Sequence, residues 1–347
     1  MTVNDSANRK ESHFISKEAI KLTINQFIKL TNIKKEKEII PEKIMELVER
    51  RDKLRKEKRY HLADQVRHKI KKLGYDVVTV DTDTSRGADY TRLGDALKGH
   101  YDVAHVCTPN FTHEELAYAI APLTNVLFVE KPGLKTAQHW RQLVDQCANT
   151  RIAMVKNNQW RPQMEQWCQD LTQSRIVRLN WINHDRVPNP GSWFTQRELA
   201  WGGVIRDLMP HMLSILAALL PSELNNLEPW SAHTMRNWQL ADLQSTDYGA
   251  INAQGVYDVD DFAQICFCHN DINFVLRADW RSLDDNDISV NFYQPDRVHR
   301  YELGLCPDTV YGDMIADCVN NFNNDAFWNW QRSCDLWIHE MIDAVSN

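Results

Sequence analysis

Residues 101–159 read YDVAHVCTPNFTHEELAYAIAPLTNVLFVEKPGLKTAQHWRQLVDQCANTRIAMVKNNQ, and this stretch decides the fold. YDVAHV is a short apolar run stopped by Thr108-Pro109-Asn110, as a buried strand should be. HEELAYAIAPL then carries its apolar residues at helical spacing. NVLFV is a second strand, ending in Glu130-Lys131-Pro132. AQHWRQLVDQCA is a second helix, and IAMV a third strand ending in Lys156-Asn157-Asn158. Strands and helices alternating at these lengths imply a parallel, doubly wound sheet. Such sheets bind ligands at the carboxyl ends of their strands, which is where TPN, EKP and KNN fall.

Upstream, YDVVTVDT (75–82) has the same apolar character and ends in Asp81, so it reads as another buried strand. Before it the composition changes abruptly. Residues 1–73 hold 20 Lys+Arg against 11 Asp+Glu, whereas the remainder holds 20 against 36. All 12 glycines lie at Gly74 or later, and all 12 tryptophans at Trp140 or later. A break this sharp marks a boundary near Gly74. We divide the chain into a basic helical segment (1–73), an α/β unit (74–157) and a second domain (158–347). In the first segment, IMELVERRDKLRKEKRY places Ile44, Leu47, Val48, Arg51 and Leu54 on one helical side. HLADQVRHKIKK does the same with Leu62, Val66 and Ile70, and Leu73-Gly74 closes it as a helix C-terminus should. The expected product is a helical hairpin with a basic exterior.

Downstream, RIVRLNWINHDR, FAQICFCHN, INFVLRADWRS and ISVNFYQPDRVHRYEL read as strands, with a turn at HNDI. The chain closes on an amphipathic helix carrying Trp328, Trp337, Ile338 and Met341. Between these lies GGVIRDLMPH, with Asp207 and His211 four residues apart. On a helix that spacing puts both on one face. A carboxylate beside an imidazole can orient a substrate hydroxyl and take its proton.

No run of 18 apolar residues exists, so no membrane-spanning helix is expected. The first residues, MTVNDSANRKESHF, lack an apolar signal core, which points to the cytoplasm. Cys266 and Cys268 share a strand face, but no further ligand falls at metal-site spacing, so no metal is expected.

VCTPNFTHEELAYAI followed by LFVEKP, then GGVIRDLMPH, resembles the Gfo/Idh/MocA oxidoreductases, the family of glucose–fructose oxidoreductase and inositol dehydrogenase. The resemblance implies an NAD or NADP cofactor. It implies that Thr108, Pro109, Asn110 and His113 border the nicotinamide, with Glu130, Lys131 and Asn158 beside them. It implies that Lys131, Asp207 and His211 are catalytic, His211 carrying the proton. The proline of EKP is often cis in relatives, which would aim the lysine into the site. Asp81 would hold the adenosine ribose. The family's G-x-G-x-x-G, whose backbone cradles the pyrophosphate, has no counterpart, because residues 1–73 contain no glycine. The fold implied is α/β: an α-helical hairpin, an incomplete Rossmann-like parallel sheet, then an α+β domain with a large open, mostly antiparallel sheet. That sheet is the dimer contact in relatives, so a homo-oligomer is implied.

Residues 40–77, IPEKIMELVERRDKLRKEKRYHLADQVRHKIKKLGYDV, resemble the C-terminal helical tail of cysteinyl-tRNA synthetases through Pro41, Arg50-Arg51, Arg55, Ala63-Asp64, Arg67 and Leu73-Gly74. In those enzymes the tail helps hold tRNA, and a basic face can bind RNA phosphates. A gene fusion that replaced the family's first strand and loop would give this order. Three functions follow as expectations: an oxidoreductase acting on a sugar or amino-acid derivative with weakened cofactor binding, a pseudoenzyme used for binding or assembly, and an RNA-associated module.

Overall fold

The computed structural model describes residues 78–86, 88–243, 248–304 and 309–346, together with individual positions between 47 and 69. A helix expected over 17–31, where Ile20, Ile24, Phe27 and Ile28 fall on one face, lies outside the described residues, as does most of the first turn of the hairpin. Within the hairpin, the described positions from Leu47 to Leu54 and from Leu62 to Lys69 are helical. Arg51, Leu54 and Val66 are buried, the inward side that the apolar spacing assigns.

Three strands form a parallel sheet in the order β1 (Tyr101–Val106), β2 (Thr124–Val129), β3 (Arg151–Met154). Side chains alternate across it, and both faces are covered, so β2 is apolar almost throughout. Val106, Leu127, Val129 and Ile152 pack with α1 (His113–Ile120) and α2 (Ala137–Gln146). Val103, Val126, Phe128 and Ala153 pack instead with Met314, Cys318 and Trp328. These last belong to α6 (Thr309–Asn320) and α7 (Asp325–Ser346), at the far end of the chain. The C-terminal helices therefore close the second face of the first sheet as well as packing within the second domain.

Among the described residues, 78–82 add no strand to this sheet, which departs from the reading of YDVVTVDT, whose first three residues lie outside the described ones. Among the described residues, Val80 makes one isolated parallel bridge to Tyr90 and is 38% exposed. A polar partner explains the departure. Arg51 forms a buried ion pair with Asp89. Asp89 also accepts from the Thr79 backbone N–H at 3.0 Å and from its hydroxyl at 2.9 Å. This knot ties Thr79 and Asp89 to Arg51 of the helical hairpin.

The second sheet has six strands, in the order β5-β6-β7-β4-β8-β9. They are β4 (Ile176–Ile182), β5 (Pro229–Met235), β6 (Phe262–His269), β7 (Ile272–Asp279), β8 (Asp287–Tyr293) and β9 (Val298–Glu302). Only the β4–β7 pair is parallel. Asn270 and Asp271 take φ of 47° and 61°, the two left-handed residues that a tight hairpin between β6 and β7 needs. ISVNFYQPDRVHRYEL is a hairpin, β8 and β9, rather than one strand, because Gln294 to Arg297 turn back. The apolar face, with Leu179, Ile265, Phe267 and Leu276, packs on α5 (Met209–Leu219). Arg178, Asn180, Gln264 and Cys268 on the other face remain at least partly exposed.

Candidate active site between the sheet ends and the second domain

The three loops at the carboxyl ends of β1, β2 and β3 meet. His113 joins the first two. Its Nδ1 lies 2.8 Å from the Gly133 carbonyl and its Nε2 2.7 Å from the Thr108 carbonyl. Burial pushes the His113 pKa down, while the two carbonyls and Glu130 oppose that shift. Asn110 reaches outward, donating from Nδ2 to the Ala200 carbonyl at 2.9 Å, and so ties this loop to the second domain. Thr108 and Thr112 share a hydroxyl contact at 2.6 Å, and Pro109 precedes the short turn Asn110–Thr112. Glu130 is buried, with His105 Nε2 3.3 Å from its Oε1. Burial alone would raise the Glu130 pKa, but His105 and Lys131 hold it below the usual carboxylate range.

The Lys131-Pro132 bond is cis. Gly133 follows at φ 78°, and a Cβ there would stand 2.5 Å from His339 Nε2. His339 comes from α7. Its Nε2 accepts from the Leu134 N–H at 3.1 Å, its Nδ1 donates to the Asp335 carbonyl at 2.7 Å, and its ring stacks on Trp140. Burial holds its pKa at about 3, so the ring is neutral. Asp343, one turn further, accepts from the Ala137 N–H at 2.7 Å. Asp335 pairs with the buried Lys156 and accepts from the Met154 N–H. The last helix thus braces the lysine-bearing loop, α2 and β3 together.

Lys131 Nζ donates to Asp207 Oδ1 at 2.5 Å and to the Asp207 carbonyl at 3.0 Å. Trp280 Nε1 donates to the other carboxylate oxygen at 3.0 Å. Burial would raise the Asp207 pKa, but Lys131 and Trp280 outweigh it and keep the group ionised. His211 lies within electrostatic reach of both Lys131 and Asp207. Its ring stacks on Trp181 with centroids 4.9 Å apart, and Asn158 Nδ2 lies 3.0 Å from its Nδ1. Burial first, then Lys131, drives its pKa down to about 3.

Asp207 and His211 do not share one helix, which corrects the simple four-residue argument. Asp207 ends α4 (Val204–Asp207) and His211 lies in α5. Pro210 has no N–H to give the carbonyl four residues back, so the helix breaks at Leu208. Both side chains still reach the same place.

Asp81 stands apart from this group. Its Oδ2 is 3.4 Å from Arg86 Nε, which also lies 3.5 Å from Asp83. Asp81, Arg86 and Glu130 all bear on Cys107, the residue after β1, so this acidic turn lies near the end of that strand.

Sequence reasoning missed several residues here. Trp280 lies 73 residues from the Asp207 it binds, and Arg161, three residues after Asn158, carries no spacing signal that marks it as that amide's partner. Trp201 takes φ 68°, a conformation that costs an ordinary side chain about 1–2 kcal/mol, and sets its ring edge-on to His113 at 6.2 Å. Among the described residues, no group of three or more His, Cys, Asp or Glu could hold a metal, and no helix is long and apolar enough to cross a membrane.

Comparison with known proteins agrees with this layout. Residues 44–157 match the GFO_IDH_MocA model, described as an oxidoreductase family with an NAD-binding Rossmann fold. The match begins inside the helical hairpin. Over 198 residues the chain is 32% identical to a protein of Amycolatopsis mediterranei (strain S699) whose name proposes it as a UDP-kanosamine synthase oxidoreductase subunit. The aligned region is 54% of this chain and 54% of that protein, so the chain spans about half the length of this relative. Among solved structures, GenD2 from gentamicin A biosynthesis, in complex with NAD, superimposes with a TM-score of 0.58 at 18% identity, covering 77% of this chain and 84% of that one. Levoglucosan dehydrogenase with NADH and levoglucosan gives 0.56 at 14% identity, covering 76% and 88%. KijD10, a 3-ketoreductase from Actinomadura kijaniata with NADP and TDP-benzene, gives 0.57 at 13% identity, covering 77% and 87%. The chain therefore has the α/β fold of these oxidoreductases, and its residues 44–157 match the Gfo/Idh/MocA family's NAD-binding unit.

Proposed function

We propose that the protein is an NAD(P)-dependent oxidoreductase that moves a hydride between nicotinamide and a carbinol or carbonyl carbon of a small polar substrate. The observation that carries this reading is the meeting of Lys131, Asp207 and His211 beside the strand ends. Likeness to dehydrogenases of sugars favours a sugar or a nucleotide-linked sugar over an amino-acid derivative.

The nicotinamide end of the cofactor fits the residues present. Thr108, Pro109, Asn110, His113, Glu130 and Asn158 would border it around Lys131. Bound there, it supplies or accepts the hydride. Lys131 has three N–H groups, two of them given to Asp207, which leaves one for a substrate oxygen. Asp207 aims the lysine through two hydrogen bonds, and Trp280 keeps Asp207 in place. The diphosphate end finds no glycine turn in residues 1–73, and the turn near the end of β1 carries Asp81 and Asp83. Weak cofactor binding follows. The same two facts favour a second reading, a family relative that binds without turnover.

NADH- and NADPH-linked assays on a panel of keto sugars, free and nucleotide-linked, separate the two. Turnover that falls at least about 10²-fold in Lys131→Met supports the oxidoreductase. Cofactor binding without turnover on any of the panel supports the second reading. For partners, we propose self-association through the partly exposed face of the second sheet. RNA contact by the basic hairpin is the alternative, and sedimentation with and without added tRNA distinguishes them.

A further inference from the structure

Resting on the oxidoreductase reading, we propose that Lys131 carries the proton in this site, and that His211 is a neutral hydrogen-bond donor whose tautomer is locked by Asn158 and Arg161. The argument starts from Arg161, a residue that can only donate. Its Nη1 gives a hydrogen bond to the Leu303 carbonyl at 2.8 Å and its Nε gives one to Asn158 Oδ1 at 2.7 Å. The amide oxygen of Asn158 must therefore face Arg161, and its NH₂ must face the other way. That NH₂ lies 3.0 Å from His211 Nδ1. A donor at this position requires a lone pair on Nδ1. A neutral imidazole with its lone pair at Nδ1 carries its proton at Nε2.

Neither partner can turn to accommodate anything else. Asn158 is 1% exposed and Arg161 4%, so a flipped amide would set NH₂ against guanidinium away from bulk solvent. The Trp181 ring, stacked at 23° to the imidazole, resists rotation of His211 itself.

The chemistry follows. To act as a base through Nε2, His211 would need its proton on Nδ1, pointed at the Asn158 amino group. An imidazolium would meet the same conflict. The charged groups facing His211 are Lys131, Asp207, Glu130 and Arg161. Burial and the two cations oppose an imidazolium, the two carboxylates favour it, and the balance leaves the ring neutral with a pKa of about 3. His211 can give a hydrogen bond from Nε2 to a substrate oxygen but cannot take up a proton there.

The proton then has one source in the group. In the reducing direction a bound dihydronicotinamide would supply a hydride to the carbonyl carbon, forming its new C–H bond. The π pair moves to oxygen, and an N–H bond of Lys131 breaks as its proton passes to that oxygen. Lys131 is left as an amine beside Asp207 and regains its proton from solvent. Oxidation runs the same exchange backwards. Asn158 and Arg161 are positioning residues, and their part is to keep Nε2–H pointed at the oxygen throughout.

The test reads the tautomer directly and needs no turnover. The full-length protein is labelled with ¹⁵N in its histidine rings, and His211 is assigned by difference with His211→Gln. Spectra from pH 5 to 9 should show His211 neutral, protonated at Nε2 and not titrating. In Asn158→Asp, a carboxylate at Nδ1 should move the proton there and bring a titration into the range. A wild-type His211 that titrates above pH 5, or that carries its proton on Nδ1, overturns the proposal while leaving the oxidoreductase reading intact. Where turnover is found, Lys131→Met should lose about 10²–10⁴-fold in kcat. His211→Gln, which can still donate, should stay within about tenfold. The reverse ranking overturns the assignment. An inert protein with the expected tautomer overturns the oxidoreductase reading, and the role of Lys131 with it.

Discussion

Gly133→Ala tests how firmly the last helix holds the lysine-bearing loop. A Cβ at this position would stand 2.5 Å from His339 Nε2 and 2.6 Å from its Cε1. The histidine cannot yield, because its ring stacks on Trp140 and both nitrogens are hydrogen-bonded. Moving it leaves the buried Leu134 N–H without its acceptor, which costs about 1–3 kcal/mol. The backbone adds its own penalty, since φ is +78° and an ordinary side chain pays about 1–2 kcal/mol there. Together they predict about 2–5 kcal/mol of destabilisation, read as a lower urea midpoint at unchanged slope. The cycle with His339→Ala separates the two parts. In that background the clash is gone, and Gly133→Ala should cost only the backbone share. A cost below about 0.5 kcal/mol in the wild-type background, or strict additivity with His339→Ala, would refute the bracing account.

His211 and His339 both fold with pKa values near 3, against 6.5 when unfolded. Between those values the unfolded chain binds more protons, so stability falls as pH drops through 6.5 toward 3. Each contributes a slope of about 1.4 kcal/mol per pH unit, and His339→Gln should remove one such share from urea titrations at pH 6 and pH 5. Lys156→Met strands the buried Asp335 carboxylate and should cost about 3–5 kcal/mol, measured the same way. Asp89→Ala breaks the knot with Arg51 and Thr79, so limited proteolysis should open residues 79–90 first, with the sheet core still protected.

Much of the architecture is legible in the order of apolar runs. The three strands of the first sheet are buried on both faces, so they stand out as continuous apolar segments between turn signals. The loops at their ends are polar for a chemical reason, which is why Lys131, Asn110 and His113 can be found by position. Over the described residues 78–82 the strand reading does not hold, because apolar pattern reports burial, not partner. The Asp89 carboxylate that draws this segment to the hairpin is ten residues away from Thr79 and looks like any surface acid. Strand β5, PWSAHTM, is missed because none of its residues is fully buried and its few apolar residues form no run or clean alternation. The details that set the chemistry are harder still. Trp181 and Trp280 act on His211 and Asp207 from separate elements, one by stacking and one by donating, and only folding brings them there; Arg161 caps the turn that carries Asn158, but which lone pair it binds is set by that turn's geometry. The break at Leu208 shows the opposite case: Pro210 stands in the sequence, and its missing N–H accounts for the interruption between Asp207 and His211 that four-residue spacing alone overlooks.

Cofactor affinity tests the central claim most directly. On the proposed reading the nicotinamide end keeps its lysine, carboxylate and loops, while residues 1–73 offer no glycine for a phosphate-binding turn. Losing two or three charge-assisted hydrogen bonds to phosphate weakens binding by about 3–6 kcal/mol, or roughly 10²- to 10⁴-fold. Titrating the purified full-length protein with NADH and NADPH, followed by nicotinamide fluorescence, should give saturable binding well above the micromolar range, weaker again in Lys131→Ala. Sub-micromolar binding would contradict the role given to the missing turn, and no binding at millimolar cofactor would contradict the oxidoreductase assignment itself.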